Sequence, residues 1–262
     1  MTHILMCRPQ YFQVEYQINP WMEVGAVDPE QALQEWKSLK TAYESLGVKV
    51  EVIDQEKGVP DMVFATDQGV MLDDSTFLLS RFRYPERQPE SEYYRQWYHT
   101  QGYEIKELPE GIFLEGGDVQ KLGQRLLMGM GFRTSSEAVS VVGDLAHKEA
   151  IGLELVDPKF YHLDTCLMVL NATTVFYYPS AFSDSSQKKL KEIVPNLIEF
   201  SLEDVLHFAA NSVPVTQTVL MHTPTDSFKK AIEKLGYAPH IVDISQFIKA
   251  GGGIHCLTGE LA

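Results

Sequence analysis

The 262-residue sequence has few cysteines and no long apolar segment. Its three cysteines, Cys7, Cys166 and Cys256, cannot all pair, so we expect free thiols and a reducing, cytoplasmic compartment. No run approaches the roughly 18 consecutive apolar residues of a membrane span, and residues 1–9 lack the features of a secretory signal. The sequence therefore predicts neither a disulfide-stabilised secreted scaffold nor a membrane protein.

Basic charge and the common cofactor motifs are also scarce. The chain has 22 Lys and Arg against 36 Asp and Glu, a formal net charge of −14, and no basic stripe for phosphates. This balance argues against a nucleic-acid or anionic-membrane partner and permits a cationic small substrate. Because the sequence has no Cys-x-x-Cys, His-Glu-x-x-His, phosphate loop or dinucleotide fingerprint, we expect no metal and no cofactor.

What the sequence does contain is one pattern, a helix followed by a stop residue and a short strand, that occurs five times. In the first copy Asp28-Pro29 predicts a helix start, Gly47 ends the helix, and residues 48–52 alternate as a strand. The five predicted stop residues are Gly47, Gly102, Gly152, Asn196 and Gly236. A repeat with a drifting period indicates one supersecondary unit with loops of variable length.

Strand pairs lie between these endings, for example residues 70–72 with 76–79 and residues 119–122 with 125–128. Each unit thus combines strands with one helix. Five such units arranged radially form a closed five-bladed α/β propeller, which protects its strand edges by repetition. No linker or low-complexity stretch interrupts the pattern, so we expect residues 1–262 to form a single catalytic domain.

The candidate nucleophile is Cys256, which follows the glycine run 251–253. Glycine permits close backbone approach and dihedrals closed to other residues, so a thiol in this setting is poorly placed for core packing. Glu115 precedes two glycines, and His162 lies two residues before Asp164. These clusters supply the carboxylate and imidazole that a cysteine nucleophile needs.

Further candidates are acids and bases near strand ends. Asp67 follows an apolar run, and His162 and Asp164 share one face if residues 161–171 form a strand. Asp164 then holds a cation beside the imidazole or raises the pKa of the histidine. His255 is a competing base, although alternation in an extended chain turns it away from Cys256.

Three arginines, Arg81, Arg87 and Arg133, are each more typical of a surface than of a site. An arginine that faces the pocket has a fork suited to a carboxylate. Metal binding is the main rival use of the scattered Cys, His and acidic residues, but their spacing does not favour it.

Taken in order, Asp67, Glu115-Gly-Gly-Asp, Arg133-Thr, His162-x-Asp164 and Cys256 resemble the guanidino-group-modifying (pentein) superfamily. Its members include arginine deiminases, dimethylarginine dimethylaminohydrolases and amidinotransferases. The resemblance covers nearly the whole chain and implies a five-bladed α/β propeller with the active site in its central channel. It also implies a hydrolase that needs no cofactor and binds arginine or a close derivative. Homodimerisation stays open.

The resemblance also implies roles for single residues. Cys256 matches the nucleophile, His162 the general acid and base, and Glu115 the carboxylate that orients the histidine and touches the guanidinium. Asp67 and Asp164 match the paired guanidinium anchors.

Three further matches concern the rest of the substrate. Arg87 and Arg133 match positions that hold its carboxylate, and Asp61 matches a position that contacts its amine.

Departures from the family pattern favour one branch. Asp164 resembles deiminases and amidinotransferases, whose paired aspartates hold an unsubstituted guanidinium, so we expect arginine deiminase activity that yields citrulline and ammonia. Residues 18–22, together with residues 60–64, resemble an arginine dihydrolase branch that forms ornithine, yet that branch carries asparagine where this chain has Asp67. Dimethylarginine hydrolysis, amidino transfer to an amine, and a non-catalytic arginine-binding propeller with a relic site also stay open.

Overall fold

A computed structural model describes residues 2–261 and consists of five three-stranded sheets. Their strands are β1 (His3–Arg8), β2 (Lys49–Asp54), β3 (Gly69–Met71), β4 (Thr76–Leu79), β5 (Glu104–Lys106), β6 (Val119–Leu122), β7 (Arg125–Met130), β8 (Glu149–Glu154), β9 (Leu167–Asn171), β10 (Thr174–Tyr177), β11 (Asn196–Glu199), β12 (Val213–Val215), β13 (Thr218–Met221), β14 (Ala238–Ile241) and β15 (Gly259–Glu260). The expected five-bladed α/β propeller is confirmed.

Each sheet repeats one connection. Two strands pair antiparallel, and a helix then carries the chain back so that the third strand pairs parallel to the second, as in β3-β4-β5. The helices are α1 (Pro29–Ser45), α2 (Glu90–Thr100), α3 (Ser136–Ala146), α4 (Asp184–Ile193), α5 (Leu202–Leu206), α6 (Asp226–Lys234) and α7 (Ser245–Ile248).

The two ends of the chain complete the same sheet. β15 pairs antiparallel with β1, with Glu260 opposite Ile4 and Gly259 opposite Leu5, and β1 pairs parallel with β2 on its other edge. The ring is therefore closed by backbone hydrogen bonds between the first and last strands.

The local predictions hold best where a glycine ends a helix. Asp28 caps α1 with its side chain, and Gly47, Gly102 and Gly236 adopt φ values of +80°, +89° and +85° just after α1, α2 and α6. At these positions glycine avoids the steric cost that a side chain pays in the left-handed region.

Three local predictions were wrong. Gly152 lies inside β8, because α3 already ends at Ala146 with His147 in the left-handed conformation. Asn196 begins β11 instead of ending α4. Residues 161–171 are not one strand, because residues 163–165 form a 3-10 turn and β9 begins at Leu167.

The apolar core lies between the sheets and the outer helices. In the first blade, Trp36, Leu39 and Tyr43 of α1 pack in one cluster with Ile4 and Met6 of β1. Among residues 2–261, none of the helices combines the length and the apolar character that a membrane span requires.

Short turns before the first strand of each antiparallel pair position the site. They include the 3-10 turns at Ala65–Gln68, Gly116–Asp118, Leu163–Thr165 and Ala209–Asn211, and a turn over residues 254–257 leads into β15. Each blade thus delivers one turn, and the turns carry or adjoin the polar residues predicted from the sequence.

Candidate active site

The turns bring the predicted nucleophile, base and carboxylates together. Asp67, Glu115, His162, Asp164 and Cys256 come from four different turns, and each is at most 2% exposed. Residues that are distant from one another in the chain therefore form one buried polar cluster. Glycine is needed at its centre, because a Cβ on Gly117 would lie 2.7 Å from both Asp67 Oδ1 and His162 Nδ1.

Cys256 contacts a carboxylate directly. Its sulfur lies 3.2 Å from Asp164 Oδ2, and the same oxygen is 2.9 Å from Nδ1 of His255. Burial, together with the charges of Asp164 and Asp67, raises the pKa of the Cys256 thiol well above its usual range. The protein without substrate therefore holds this cysteine as a neutral thiol that donates to Asp164.

His162 is held between two carboxylates. Its Nε2 lies 2.8 Å from Glu115 Oε2, and its Nδ1 lies 3.5 Å from Asp67 Oδ1 without a hydrogen bond. Burial alone would lower the pKa of His162, but the charge of Asp67 and the hydrogen bond with Glu115 outweigh burial and raise that pKa to about 9. The imidazole is therefore protonated at neutral pH and has a proton to give.

The two carboxylates nearest the imidazole and the sulfur stay ionised. Burial would raise the pKa of Glu115, but Arg133 and His162 outweigh burial and hold that pKa well below its usual range. Burial also opposes ionisation of Asp164, yet the hydrogen bond with His255 lowers its pKa. Both groups carry negative charge in a buried place, which an arriving cation would neutralise.

Several buried polar atoms of this cluster have no hydrogen-bond partner among residues 2–261. They are Asp61 Oδ1, Asp67 Oδ1, Glu115 Oε1, His162 Nδ1 and Asp164 Oδ1. Buried polar groups are normally paired, so a group of unpaired carboxylate oxygens indicates a place for a ligand with several N–H donors and positive charge.

Arg87 is buried, and carboxylates occupy most of its fork. Its Nε and Nη2 donate to the two oxygens of Glu90, each at 2.9 Å, and its Nη1 donates to Asp67 Oδ2 at 2.7 Å. Nη2 also donates to the Asp61 carbonyl, and the guanidinium stacks over Phe82. These contacts place Arg87 behind Asp67 as its counter-charge and leave no fork open for a second carboxylate.

Arg133 has a different setting. Its Nη1 donates to Glu115 Oε2 at 3.0 Å and its Nη2 to the Ile18 carbonyl, and its guanidinium lies between the rings of Tyr84 and Tyr161. It retains an unused Nε–H. Arg133 and both tyrosines also line a cavity of about 410 Å³, which opens beside the cluster.

Asp61 joins the cluster from the turn before Ala65. Its Oδ2 accepts a hydrogen bond from the Tyr16 hydroxyl at 2.9 Å, and its Oδ1 is unpaired. Burial raises the pKa of Asp61, although Arg87 opposes that effect. Asp61 is therefore protonated more readily than Glu115 or Asp164.

The structure adds three residues that the sequence did not predict correctly. Asn211 contacts Cys256, and Glu90 binds Arg87. His255 was expected to turn away from the site, but residues 254–257 form a turn and not an extended strand, so its ring reaches Asp164. The one sequence signal for Asn211 was its position just before the first strand of its blade, β12, because the other four blades also place site residues in the turn before their first strand.

A metal alternative gains no support from the geometry. Within residues 2–261, no three His, Cys, Asp or Glu side chains are arranged so that they could share a metal ion.

Comparison with known proteins gives matches over almost the full chain. A protein-family model described as N,N dimethylarginine dimethylhydrolase, eukaryotic, matches residues 8–262. The chain is 37% identical over 260 residues to the N(G),N(G)-dimethylarginine dimethylaminohydrolase of Mycobacterium tuberculosis, a match that covers 98% of this chain and 84% of that protein.

A second group of relatives acts on arginine. The chain is 34% identical to the bifunctional arginine dihydrolase/ornithine cyclodeaminase ArgZ of Synechocystis, over 97% of this chain and 37% of that longer protein. The structure of a variant ArgZ N-terminal domain covalently bound to a reaction intermediate superposes with a TM-score of 0.97 at 33% identity, covering 100% of this chain and 98% of that one.

Proposed function

The chain belongs to the dimethylarginine dimethylaminohydrolase family, and within that family we propose that it acts on unsubstituted arginine, whose guanidinium group it hydrolyses to give citrulline and ammonia. It is a guanidino-modifying hydrolase of the cysteine-dependent type, as its hydrolytic homologues are. What we propose beyond this is that the nitrogen that leaves carries no methyl groups.

The observation that carries the proposal is the set of unpaired acceptors around the thiol. Asp67 Oδ1, Glu115 Oε1 and Asp164 Oδ1 are buried and each lacks a donor. An arginine guanidinium has five N–H groups, whereas dimethylation of one terminal nitrogen replaces two of them with methyl groups. Three N–H groups then remain for three oxygens, but the methylated nitrogen carries none of them, so an oxygen that faces that nitrogen stays unpaired, which costs about 1–3 kcal/mol, more for a charged group.

Charge favours a guanidinium substrate, with or without methyl groups. The cluster is rich in buried carboxylates, and a guanidinium neutralises Asp67 and Asp164 at the same time as it approaches the sulfur of Cys256. Neutralising these carboxylates removes the main electrostatic cause, after burial, of the high thiol pKa. Substrate binding thus promotes the thiolate that the reaction needs.

The chemistry follows in two steps. When arginine binds, the Cys256 thiol loses its proton to solvent. The thiolate sulfur forms a bond to the guanidinium carbon, the C–N bond breaks, and His162 gives its proton to the departing nitrogen, which leaves as ammonia and becomes ammonium in solvent with the proton released earlier. His162 then takes a proton from water, the hydroxide adds to the amidino-thioether carbon, and the C–S bond breaks as the added hydroxyl becomes the carbonyl of citrulline and its proton passes to the sulfur, which restores the thiol and the protonated imidazole. Arginine and one water are consumed, and no redox change occurs.

The remaining residues hold the rest of the substrate. We assign Arg133 to the substrate carboxylate, because it lines the cavity beside the cluster and retains an unused N–H. Asp61, with one unpaired oxygen, suits the α-amine. Arg87 acts indirectly by holding Asp67.

Mass spectrometry of purified protein tests the proposal. The protein is incubated in parallel with arginine and with NG,NG-dimethylarginine, and Cys256→Ser serves as the blank. We expect citrulline with one ammonia per arginine and a kcat/KM at least about a hundredfold lower for the dimethylated compound, because a site built for N–H donors rejects analogues that lack them.

Each rival activity gives a distinct product. Ornithine with two ammonia per arginine supports the dihydrolase activity of the cyanobacterial relatives and overturns single hydrolysis. Dimethylamine released faster than ammonia supports dimethylarginine hydrolysis. Product only when an amine acceptor is added indicates amidino transfer, and no product with any guanidino compound indicates a binding protein.

A further inference from the structure

Asn211 uses its whole side chain on the nucleophile and on Asp164. Its Oδ1 accepts from the backbone N–H of Cys256 at 3.1 Å, and its Nδ2 donates to the Asp164 carbonyl at 3.0 Å. The same Nδ2 lies 3.1 Å from the sulfur of Cys256. Asn211 is 1% exposed, so water does not compete for these contacts.

The orientation of this amide follows from its partners. The Cys256 backbone N–H can only donate, and the Asp164 carbonyl can only accept. Oδ1 must therefore face Cys256 N and Nδ2 must face Asp164 O, which directs the second N–H of Nδ2 at the sulfur.

The local backbone is built to present Asn211. Phe208, just before the 3-10 turn Ala209–Asn211, has φ of +58°, a conformation that costs energy for a non-glycine residue. On the opposite side, a Cβ on Gly253 would lie 2.5 Å from Asn211 Oδ1. The last glycine of the run before Cys256 thus makes room for this amide.

The sulfur has two hydrogen-bonding neighbours of opposite kind. Asp164 Oδ2, at 3.2 Å, accepts from the thiol, whereas Asn211 Nδ2 only donates. When the thiol loses its proton it can only accept, so the contact with Asp164 becomes repulsive and the contact with Asn211 becomes a charge-assisted hydrogen bond.

The other groups near the sulfur do not replace this donor. The titratable groups that face the sulfur or the carboxylates beside it are Asp67, Tyr161, His162, Asp164 and His255. Of these, the two imidazoles have their hydrogen-bonding contacts with Glu115 and Asp164, not with the sulfur.

We propose that Asn211 is a positioning residue for the reaction: its side-chain amide fixes the sulfur of Cys256 and stabilises the thiolate as it forms. The proposal rests on the function proposed above only in taking Cys256 as the nucleophile. It does not depend on which guanidino compound is the substrate.

Alkylation of Cys256 by iodoacetamide, followed by peptide mass spectrometry across pH, tests this role without turnover. The variants are Asn211→Asp, which exchanges the donor for an acceptor of the same shape, and Asn211→Ala. The matched control is Asn171→Asp, because Asn171 also hydrogen-bonds a turn, that of residues 173 and 174, and its hydrogen bonds are with that turn and with Tyr237 instead of with Cys256. Near-ultraviolet circular dichroism reports folding of each variant.

We expect the pH profile of alkylation of Asn211→Asp to move up by about 1 to 2 pH units, because the free energy of a hydrogen bond to a charged group corresponds to a pKa shift of that size. We expect the profile of the control to match that of wild type. We expect Asn211→Ala to lower kcat at least about tenfold with KM within about threefold. If Asn211→Asp does not fold, the alkylation profile of Asn211→Ala decides, with an upward shift of at least about half a pH unit expected.

A profile equal to that of wild type, or a change in KM alone, overturns the positioning role. The two proposals fail separately. A shifted alkylation profile without hydrolysis of arginine supports the positioning role of Asn211 and rejects arginine as the substrate. Citrulline formation with an unshifted profile supports arginine as the substrate and rejects the positioning role.

Discussion

The sulfur of Cys256 and the ring of His255 lie against the same oxygen of Asp164, at 3.2 Å and 2.9 Å. Asp164 therefore has one oxygen committed to these neighbours and its other oxygen, Oδ1, unpaired. One carboxylate thus both restrains the nucleophile and offers an acceptor to the substrate, so its two effects can be separated by mutation.

Replacing Asp164 with asparagine should change substrate binding and thiol reactivity in opposite directions. Loss of the charge lowers the pKa of the Cys256 thiol, because Asp164 raises it, so alkylation below pH 9 should become at least about threefold faster. KM for arginine should rise at least about tenfold because an anchor for the cation is lost. Asp74→Asn, on an exposed turn, is the control. Slower alkylation in Asp164→Asn would contradict the assigned electrostatics.

Replacing Cys256 with serine should lower citrulline formation by at least about a thousandfold, because a hydroxyl ionises far less readily than a thiol and the ionised carboxylate of Asp164 is too weak a base to deprotonate it. Arginine should still raise the melting temperature of this variant, since the carboxylates remain. Cys7→Ala, which alters a buried cysteine of β1, should keep its activity. Ammonia release from Cys256→Ser at the wild-type rate would exclude a covalent mechanism through Cys256.

The elevated pKa of His162 predicts a pH dependence of stability. Its folded-state pKa of about 9 exceeds its ordinary value of 6.5, so its contribution is fully present below pH 6.5 and is lost as pH rises through 9. That contribution is about 3 kcal/mol. Urea titrations at pH 6 and 9.5 should show a larger loss of unfolding free energy for wild type than for His162→Gln. Exposed His99→Gln should behave as wild type, and equal slopes in all three proteins would rule out the raised pKa.

Arg87 and Arg133 should differ in their effects on recognition of the substrate carboxylate. Arg133→Met should reduce the preference for arginine over agmatine, which lacks the carboxylate, by at least about tenfold. Arg87→Met should leave that preference unchanged, because its fork binds Glu90 and Asp67. It should instead lower the unfolding free energy by about 3–5 kcal/mol by leaving buried carboxylates unpaired. The reverse pattern in kcat/KM ratios would assign the carboxylate to Arg87.

Local sequence patterns predicted much of the fold. Cap residues, glycine stops and alternating strands act over a few residues, so Asp28, Gly47, Gly102 and Gly236 could be interpreted without knowledge of the rest of the chain. The prediction failed at Gly152, which lies within β8 because α3 already ends at Ala146, and at Asn196, which begins β11. It also failed at residues 161–171, where a turn interrupts the expected alternation.

The sequence by itself determined the five repeats and the types of residue available for chemistry, because both depend on local spacing and side-chain identity. Only the tertiary structure decided which atoms meet. Asn211 and Asp164 both contact the sulfur of Cys256, which lies 45 and 92 residues further along the chain. The carboxylate of Glu90 accepts hydrogen bonds from Nε and Nη2 of Arg87. Such contacts depend on the closure of the ring by β1 and β15, which orients all five turns together, and no local pattern encodes that orientation.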